Sequence, residues 1–162
     1  MELLKTNNQS LLIVDIKESS DITIGVPHHT PGGTPHMPCP EHRDGDENAG
    51  LIGRHIADAL DSSFICACNY FIDPNKRNTT DYYKAIVKSK PKYLFEIHGH
   101  GKRSSQNDVE ISCGSKDKES QANTFKKYLD NEITNNISSF REQLEELNIE
   151  AIFSKIKFKA TR

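Results

Sequence analysis

The sequence predicts an α/β fold in which a mixed sheet lies between helices. Short apolar or alternating runs, typical of strands, interleave along most of the chain with stretches whose apolar residues recur at three- and four-residue steps, which is typical of helices. Segments containing Pro, Gly and Asn separate these runs. The length of 162 residues suits one hydrophobic core, so we expect a single domain over residues 1–162.

The first half of the chain supplies strands on both sides of one helix. The apolar run 11–16 and the run 21–26 are expected to be strands, and they are candidates for a hairpin at the sheet edge. The second strand is expected to end at Pro27, before a loop rich in Pro, Gly and His. A helix over about 46–61 follows, with acidic residues at its start where the helix dipole favours them, and then a strand over 63–69.

The second half continues the alternation. Thr80 caps a predicted helix over 81–89, because its hydroxyl suits an N-terminal cap. The run 93–98 is the most strand-like of the chain and ends at Gly99-His100-Gly101. Beyond it we predict a short strand over 108–112, a helix over 120–132, a second helix from Ser139 to Leu147 with a capping box, and a strand over 149–160.

Composition narrows the classes of partner. The formal net charge of -2 gives no electrostatic reason to expect nucleic acid or an anionic membrane as partner. No apolar run approaches the roughly 20 residues that span a bilayer, and no signal peptide is evident, so we expect a soluble, cytoplasmic protein. The four cysteines lack the spacing of a zinc site or a disulfide scaffold, and Cys66 and Cys68 are expected to be buried thiols.

Histidines are concentrated after two of the predicted strands. His28, His29, His36 and His42 follow the strand at 21–26, and His98 and His100 end the strand at 93–98. The carboxyl ends of parallel strands lie along one edge of a sheet, so these two loops can meet there. With a carboxylate from the start of the next helix (Asp44, Asp46 or Glu47), they predict a three-ligand zinc site with an open position for water. His55 is expected to be a core residue.

Five segments, VPHHTPGG, DENAGLIG, FIDPNKR, EIHGHG and DVEISCG, resemble in their order those of the N-formylglutamate amidohydrolase-like family, relatives of the zinc carboxypeptidases. The resemblance covers about residues 20–115. It implies a three-layer fold with a mixed, mostly parallel sheet flanked by helices, similar to the zinc carboxypeptidases and phosphorylase-hydrolases.

The resemblance also implies a ligand set and a substrate anchor. His28, Glu47 and His98 match the zinc ligands, with His29 and Asp46 as alternatives to their neighbours. Asp73, Asn75 and Lys76 fall on the family's DxNR segment, whose basic residue is suited to a substrate carboxylate. Lys76 would give a point charge in place of the bidentate arginine fork. The substrate-binding candidates are therefore Lys76, Arg77, Asn75 and, after the second histidine strand, Arg103.

The implied activity is that of a zinc-dependent amidohydrolase, which cleaves an N-acyl amino acid or a peptide-like amide with a metal-activated water. Enzymes of this type use a glutamate from a late strand as general base. The chain ends about where that segment would begin, so we expect the base to be absent, to lie beyond Arg162, or to be Glu110 or Glu96. The alternative is a catalytically impaired relative that binds a metal or a ligand, and a metal-dependent phosphoesterase is a weaker possibility.

Overall fold

The computed structural model describes residues 1–5, 11–31, 45–70, 72–99, 109 and 111–144. It divides into two compact units, Met1–His100 and Gly101–Arg162, each of which is described by itself. The single domain over 1–162 stays a prediction.

The first unit contains six strands and two helices among its described residues. In chain order these are β1 (Glu2–Lys5), β2 (Leu11–Asp15), β3 (Ile22–Thr30), β4 (Asp46–Glu47), α1 (Ala49–Ala59), β5 (Ser63–Cys68), α2 (Asp81–Ser89) and β6 (Tyr93–Glu96).

The strands form one mixed sheet centred on β3. Its order is β1-β2-β5-β3, and the other edge of β3 carries β6 along its first half and β4 at its end. The pairs β1/β2 and β2/β5 are antiparallel, whereas β5, β4 and β6 all run parallel to β3. The predicted α/β class with a mixed sheet flanked by helices is confirmed.

Helices cover both faces of this sheet. Every residue of β5 is buried, and alternate side chains face opposite sides. Phe64, Cys66 and Cys68 pack in one apolar cluster with residues of α1, while Ile65 and Ala67 pack in another with residues of α2. The first unit is therefore built of helix, sheet and helix layers, and the prediction that Cys66 and Cys68 are buried is confirmed.

Two predictions about β3 are wrong. β2 pairs with β1 and β5, so β2 and β3 do not form a hairpin. In addition, β3 continues through Pro27 to Thr30. Its register with β5 shifts between Val26 and His29, and such an irregularity is where a sheet accepts a proline, which has no N–H to donate.

Helix α1 begins at Ala49, three residues later than predicted. Asp46 and Glu47 form β4, which pairs in parallel with His29 and Thr30 of β3. Asn48 follows with a positive φ of 65° and turns the chain into the helix. The acidic residues that the sequence placed in the first helical turn therefore belong to the sheet.

The second unit contains a short 3-10 helix at Lys116–Lys118 and the helix α3 (Glu119–Leu144). The prediction of two helices separated before Ser139 is wrong, because α3 runs through this position; the sequence from 119 to 144 contains no Gly or Pro to stop it. Val109, Ile111 and Ser112 are not in a strand. The strand predicted over 149–160 lies outside the described residues.

No described helix is long and apolar enough to span a membrane.

Candidate metal centre

Three potential metal ligands meet where β3 and β6 end and β4 begins. His28 lies near the end of β3, Asp46 opens β4, and His98 follows β6 by two residues. Because β4 and β6 both run parallel to β3, the chain leaves β3 and β6 toward the same edge of the sheet. The His28, Asp46 and His98 side chains form the one group of metal-binding type found among the described residues.

The distances between the three ligand atoms fit a small divalent cation. The Nδ1 atoms of His28 and His98 are 3.2 Å apart, and Asp46 Oδ2 is 3.6 Å from each of them. A point equidistant from three atoms at these separations lies about 2.0 Å from each, which matches the length of Zn–N and Zn–O bonds. The three ligand atoms are therefore spaced so that they could hold a small divalent cation.

The burial of Asp46 is compatible with a cation at this position. The Asp46 side chain is 5% exposed, and its Oδ2 is buried without a hydrogen-bond partner among the described residues. The distances of 3.6 Å to the two imidazoles are too long for hydrogen bonds. A buried carboxylate oxygen that faces two ring nitrogens and lacks a donor is a group that a bound metal ion could satisfy.

A second carboxylate fixes the orientation of His28. Asp73 Oδ1 lies 2.8 Å from His28 Nε2, so Nε2 carries a hydrogen and donates it. In a neutral imidazole, the other nitrogen then presents its lone pair, and His28 Nδ1 faces Asp46 and His98. A carboxylate behind a ligating histidine is a common arrangement in metal sites, because it sets the tautomer and holds the ring.

The turn after β5 holds Asp73 in this position. Asp73 is 1% exposed; its Oδ1 also accepts the N–H of Asn75 at 3.0 Å, and the Lys76 ammonium lies 3.1 Å from Oδ2. The Thr80 hydroxyl donates to the Pro74 carbonyl at 3.0 Å and accepts the N–H of Tyr83 as the N-terminal cap of α2, as predicted. The start of α2 thereby anchors the turn that positions Asp73.

The charges of the group favour ionised carboxylates. Burial raises the pKa of Asp46, but the contacts with His28, His98 and the Gly99 N–H outweigh burial and hold this pKa well below its ordinary value. Asp73 behaves in the same way, with His28 as its main partner. Burial lowers the pKa of His28, yet Asp46 and Asp73 together raise it above its ordinary value. Without a metal, His28 thus holds a proton more strongly than a free histidine does.

Gly99 leaves room for the aspartate. A Cβ on residue 99 would lie 3.2 Å from the Cα, the Cβ and Oδ1 of Asp46. The N–H of Gly99 also bonds to Asp46 and helps to lower its pKa. The first glycine of the EIHGHG segment therefore supports the candidate ligand Asp46 of β4.

The structure distinguishes between the adjacent ligand candidates. His29 Nδ1 accepts the Gly50 N–H at 3.2 Å, and the ring packs so closely on α1 that a Cβ on residue 50 would lie 2.7 Å from it. His29 therefore supports the helix and is not part of the group. Glu47 is exposed, and Asp46, the alternative to it, faces His28 and His98. The ligand roles themselves stay predictions.

The predicted substrate-binding residues lie beside Asp73, the hydrogen-bond partner of His28. Asn75, Lys76 and Arg77 are exposed in the turn that begins at Asp73, and Lys76 pairs with Asp73. The pairing of Lys76 with Asp73 was not anticipated from the sequence. Arg103 lies outside the described residues.

Glu96, one of the two candidates for the general base, does not belong to the group. Glu96 accepts a hydrogen bond from the buried Tyr82 hydroxyl at 2.8 Å, on the side of the sheet covered by α2. Glu110, Asp44, His36, His42 and His100 lie outside the described residues. His55 is exposed on α1, so the expectation of a core residue is wrong; the apolar stripe of this helix is narrower than its apolar content suggested.

The contact of Asp73 with His28 was missed by sequence reasoning, which gave Asp73 only its place in the DxNR-like segment. An Asp two residues before an Asn and next to a Pro indicates a turn, but it does not indicate the hydrogen-bond partner of the Asp 45 residues away.

Comparisons of the chain with protein-family models, with curated proteins and with solved structures found no significant match.

Proposed function

We propose that this protein is a zinc-dependent hydrolase that cleaves an amide bond in an N-acyl amino acid or a peptide-like substrate. The proposal depends chiefly on the separations of His28 Nδ1, Asp46 Oδ2 and His98 Nδ1, which fit one small cation. Two imidazoles and one carboxylate are the donor set of many catalytic zinc sites. Because the same donors also bind ferrous iron, the metal has to be identified by measurement.

Each side chain has a distinct part in the proposed site. Bound zinc would polarise a carbonyl oxygen and lower the pKa of a water molecule to about 7. Asp46 supplies the negative charge, and Asp73 keeps the His28 lone pair directed at the metal position. His98 is 38% exposed, whereas His28 and Asp46 are 8% and 5% exposed, so the substrate is expected to approach on the His98 side.

The class of substrate follows from the resemblance and from the turn after β5. Lys76 and Arg77 place positive charge next to Asp73, the partner of His28. A substrate carboxylate would carry the opposite charge to these two side chains. We expect Arg77 to take the larger part, because a guanidinium can bind a carboxylate through two parallel hydrogen bonds, whereas the Lys76 ammonium is a point charge.

A second candidate function is metal or ligand binding without hydrolysis. It is favoured by the position of Glu96, whose carboxylate is engaged by the Tyr82 hydroxyl. Among the described residues, no further carboxylate belongs to the group as a general base. The two candidates differ in one respect: both bind a metal, and only the first turns over an amide.

Metal content tests the site directly. The untagged protein, purified without added metal, is analysed for elements beside His28→Ala, Asp46→Asn and His98→Ala. The matched controls are His55→Ala and Glu47→Gln, which alter an exposed histidine and an exposed carboxylate nearby in the chain. We expect about one zinc per chain, lost in the first three variants and kept in both controls. A metal-free parent protein that cannot be loaded with zinc would refute the site.

Activity separates the two functions. The zinc-loaded protein is incubated with a panel of N-acyl amino acids and with the same compounds carrying a neutral amide in place of the carboxylate. We expect the parent protein to release amine from the compounds that carry a carboxylate. The Arg77→Met variant should release less amine from these compounds than the parent protein does. Full zinc occupancy without release from any compound would support the binding protein.

A further inference from the structure

Strand β6 lies at an edge of the sheet that the described residues form. Among the described residues it pairs only with β3. Its three consecutive apolar residues are nevertheless exposed: Tyr93 by 48%, Leu94 by 41% and Phe95 by 36%. An apolar edge strand is a template for pairing with another strand, and natural proteins usually cover or charge such an edge.

The hydrogen bonds to β3 determine which backbone groups point outward. The N–H groups of Tyr93 and Ile97 donate to Asp21 and Gly25 at 3.0 and 2.8 Å. In a parallel pair, every second residue bonds to the neighbouring strand, here Tyr93, Phe95 and Ile97, and the residues that alternate with them direct their N–H and C=O groups away from it. The N–H groups of Leu94 and Glu96, and the carbonyls of Lys92 and Leu94, therefore point to the outer edge.

We propose that β6 pairs in antiparallel fashion with β6 of a second copy of this chain, across a two-fold axis at Leu94. In this register, the Leu94 N–H donates to the Leu94 carbonyl of the second copy. The Glu96 N–H donates to the Lys92 carbonyl of the second copy. The proposal is independent of the metal and of the proposed hydrolysis.

Complementary side chains identify the second copy as the partner. The segment Lys92-Tyr93-Leu94-Phe95-Glu96 matches itself when reversed, because Lys92 lies opposite Glu96, Tyr93 opposite Phe95, and Leu94 opposite Leu94. Opposite charges and aromatic pairs directly across two strands each stabilise a sheet. A two-fold axis provides every such pair twice.

Other registers are less favourable. A shift by one residue would place outward-pointing groups opposite residues that bond to β3, and the ladder would be lost. A shift by two residues keeps the hydrogen bonds but places Leu94 opposite Lys92 or Glu96, so the Lys–Glu pairs disappear. The charge pattern therefore selects the register centred on Leu94.

The association is tested by sedimentation of the full chain over a range of concentrations. We expect a monomer–dimer equilibrium whose dissociation constant rises at least about tenfold in Leu94→Asp, because two carboxylates would face each other at the axis. Leu51→Asp is the matched control, since Leu51 is 68% exposed on α1, and it should dimerise like the parent protein. Circular dichroism establishes that both variants are folded.

Charge reversal and cross-linking test the register. Lys92→Glu should weaken the dimer, and the double variant Lys92→Glu/Glu96→Lys should restore it. A mixture of Tyr93→Cys and Phe95→Cys chains should form a disulfide-linked heterodimer on oxidation, whereas either variant alone should form no more than the parent protein does.

Three outcomes would overturn the proposal. The first is a protein that stays monomeric at all concentrations. Slow amide exchange at Leu94 in such a monomer would show that another part of the same chain covers the edge of β6. The second is a dimer that Leu94→Asp does not weaken. The third is a dimer in which the mixed cysteine variants form no disulfide between chains.

Discussion

The two histidines of the candidate metal centre are held very differently. The His28 side chain is 8% exposed, and its Nε2 bonds to Asp73 at 2.8 Å. The His98 side chain is 38% exposed, and among the described residues no carboxylate is placed behind its ring. One half of the site is thus fixed before a metal binds, while the other half is open to solvent. The proposed hydrolase would need both properties, because its metal must be held while the substrate enters.

The difference follows from the positions of the two strands in the sheet. β3 has neighbours on both sides, and its end is enclosed by β4, β5 and the turn that contains Asp73. β6 has one neighbour among the described residues. A ligand at the end of a central strand acquires surrounding contacts that a ligand beyond an edge strand lacks.

Removal of each histidine is expected to give the largest effects and to separate the two halves. His28→Ala and His98→Ala should both lower zinc affinity by more than about 100-fold, since each removes a ligand. Only His28→Ala should also lower the free energy of unfolding of the metal-free protein, by about 1–3 kcal/mol, because it leaves the buried Asp73 without its main partner. Chelator competition and urea unfolding measure the two quantities. Equal losses of stability would contradict the comparison.

Asp73→Asn tests the fixed half without removing a ligand. An asparagine amide can rotate its NH₂ toward His28 and favour the wrong tautomer, so we expect zinc affinity to fall by about 10–100-fold. Asp81→Asn, an exposed aspartate at the start of α2, is the control and should bind zinc like the parent protein. An unchanged affinity in Asp73→Asn would show that His28 needs no partner.

The pH dependence of zinc binding should report the raised pKa of His28. Zinc requires the deprotonated ring, so affinity is expected to fall by up to about tenfold per pH unit below that pKa. The fall should begin at lower pH in Asp73→Asn, which lacks one of the carboxylates that raise the pKa. In the metal-free protein the sign is opposite: protonated His28 stabilises the fold below pH about 6.5, and this contribution is lost as the pH rises through the raised pKa.

Gly99→Ala should affect the site by displacing Asp46. The added Cβ would lie 3.2 Å from the aspartate backbone and side chain, so the neighbours must shift by a few tenths of an ångström. We expect a loss of zinc affinity below about tenfold with an unchanged fold, measured by chelator competition. Gly114→Ala is the control, because a Cβ there would meet nothing within 4 Å.

Lys76→Met should have the smallest effect. The Lys76 side chain is 51% exposed, so solvent screens its charge, and the buried Asp73 keeps its hydrogen bonds to His28 and Asn75 when Lys76 is replaced. We expect a shift in the unfolding midpoint close to the error of measurement and little change in zinc affinity. A strong loss of zinc affinity would mean that Lys76 is needed to hold Asp73 in place.

Much of the fold was predictable because local patterns encode it. α2 was predicted with its observed limits, since Thr80 caps it and Pro91 follows it. β5 was predicted to within one residue by its apolar run. The hairpin of β2 and β3 was wrong, because the pairing of strands depends on contacts between distant residues, here with β5. The limits of α1 were wrong at the start, because pairing with β3 removed its acidic residues from the helix.

For the candidate site, the sequence by itself determined that histidines follow two strands and that acidic residues precede the next helix. It could not decide between His28 and His29 or between Asp46 and Glu47, because adjacent side chains on a strand point in different directions. Only the tertiary structure brought His28 and Asp46, and not their neighbours, together with His98, through the irregular register after Val26 and the parallel pairing of β4. It alone also brought Asp73 to His28, since a hydrogen bond between residues so far apart in the chain leaves no periodic trace in the sequence.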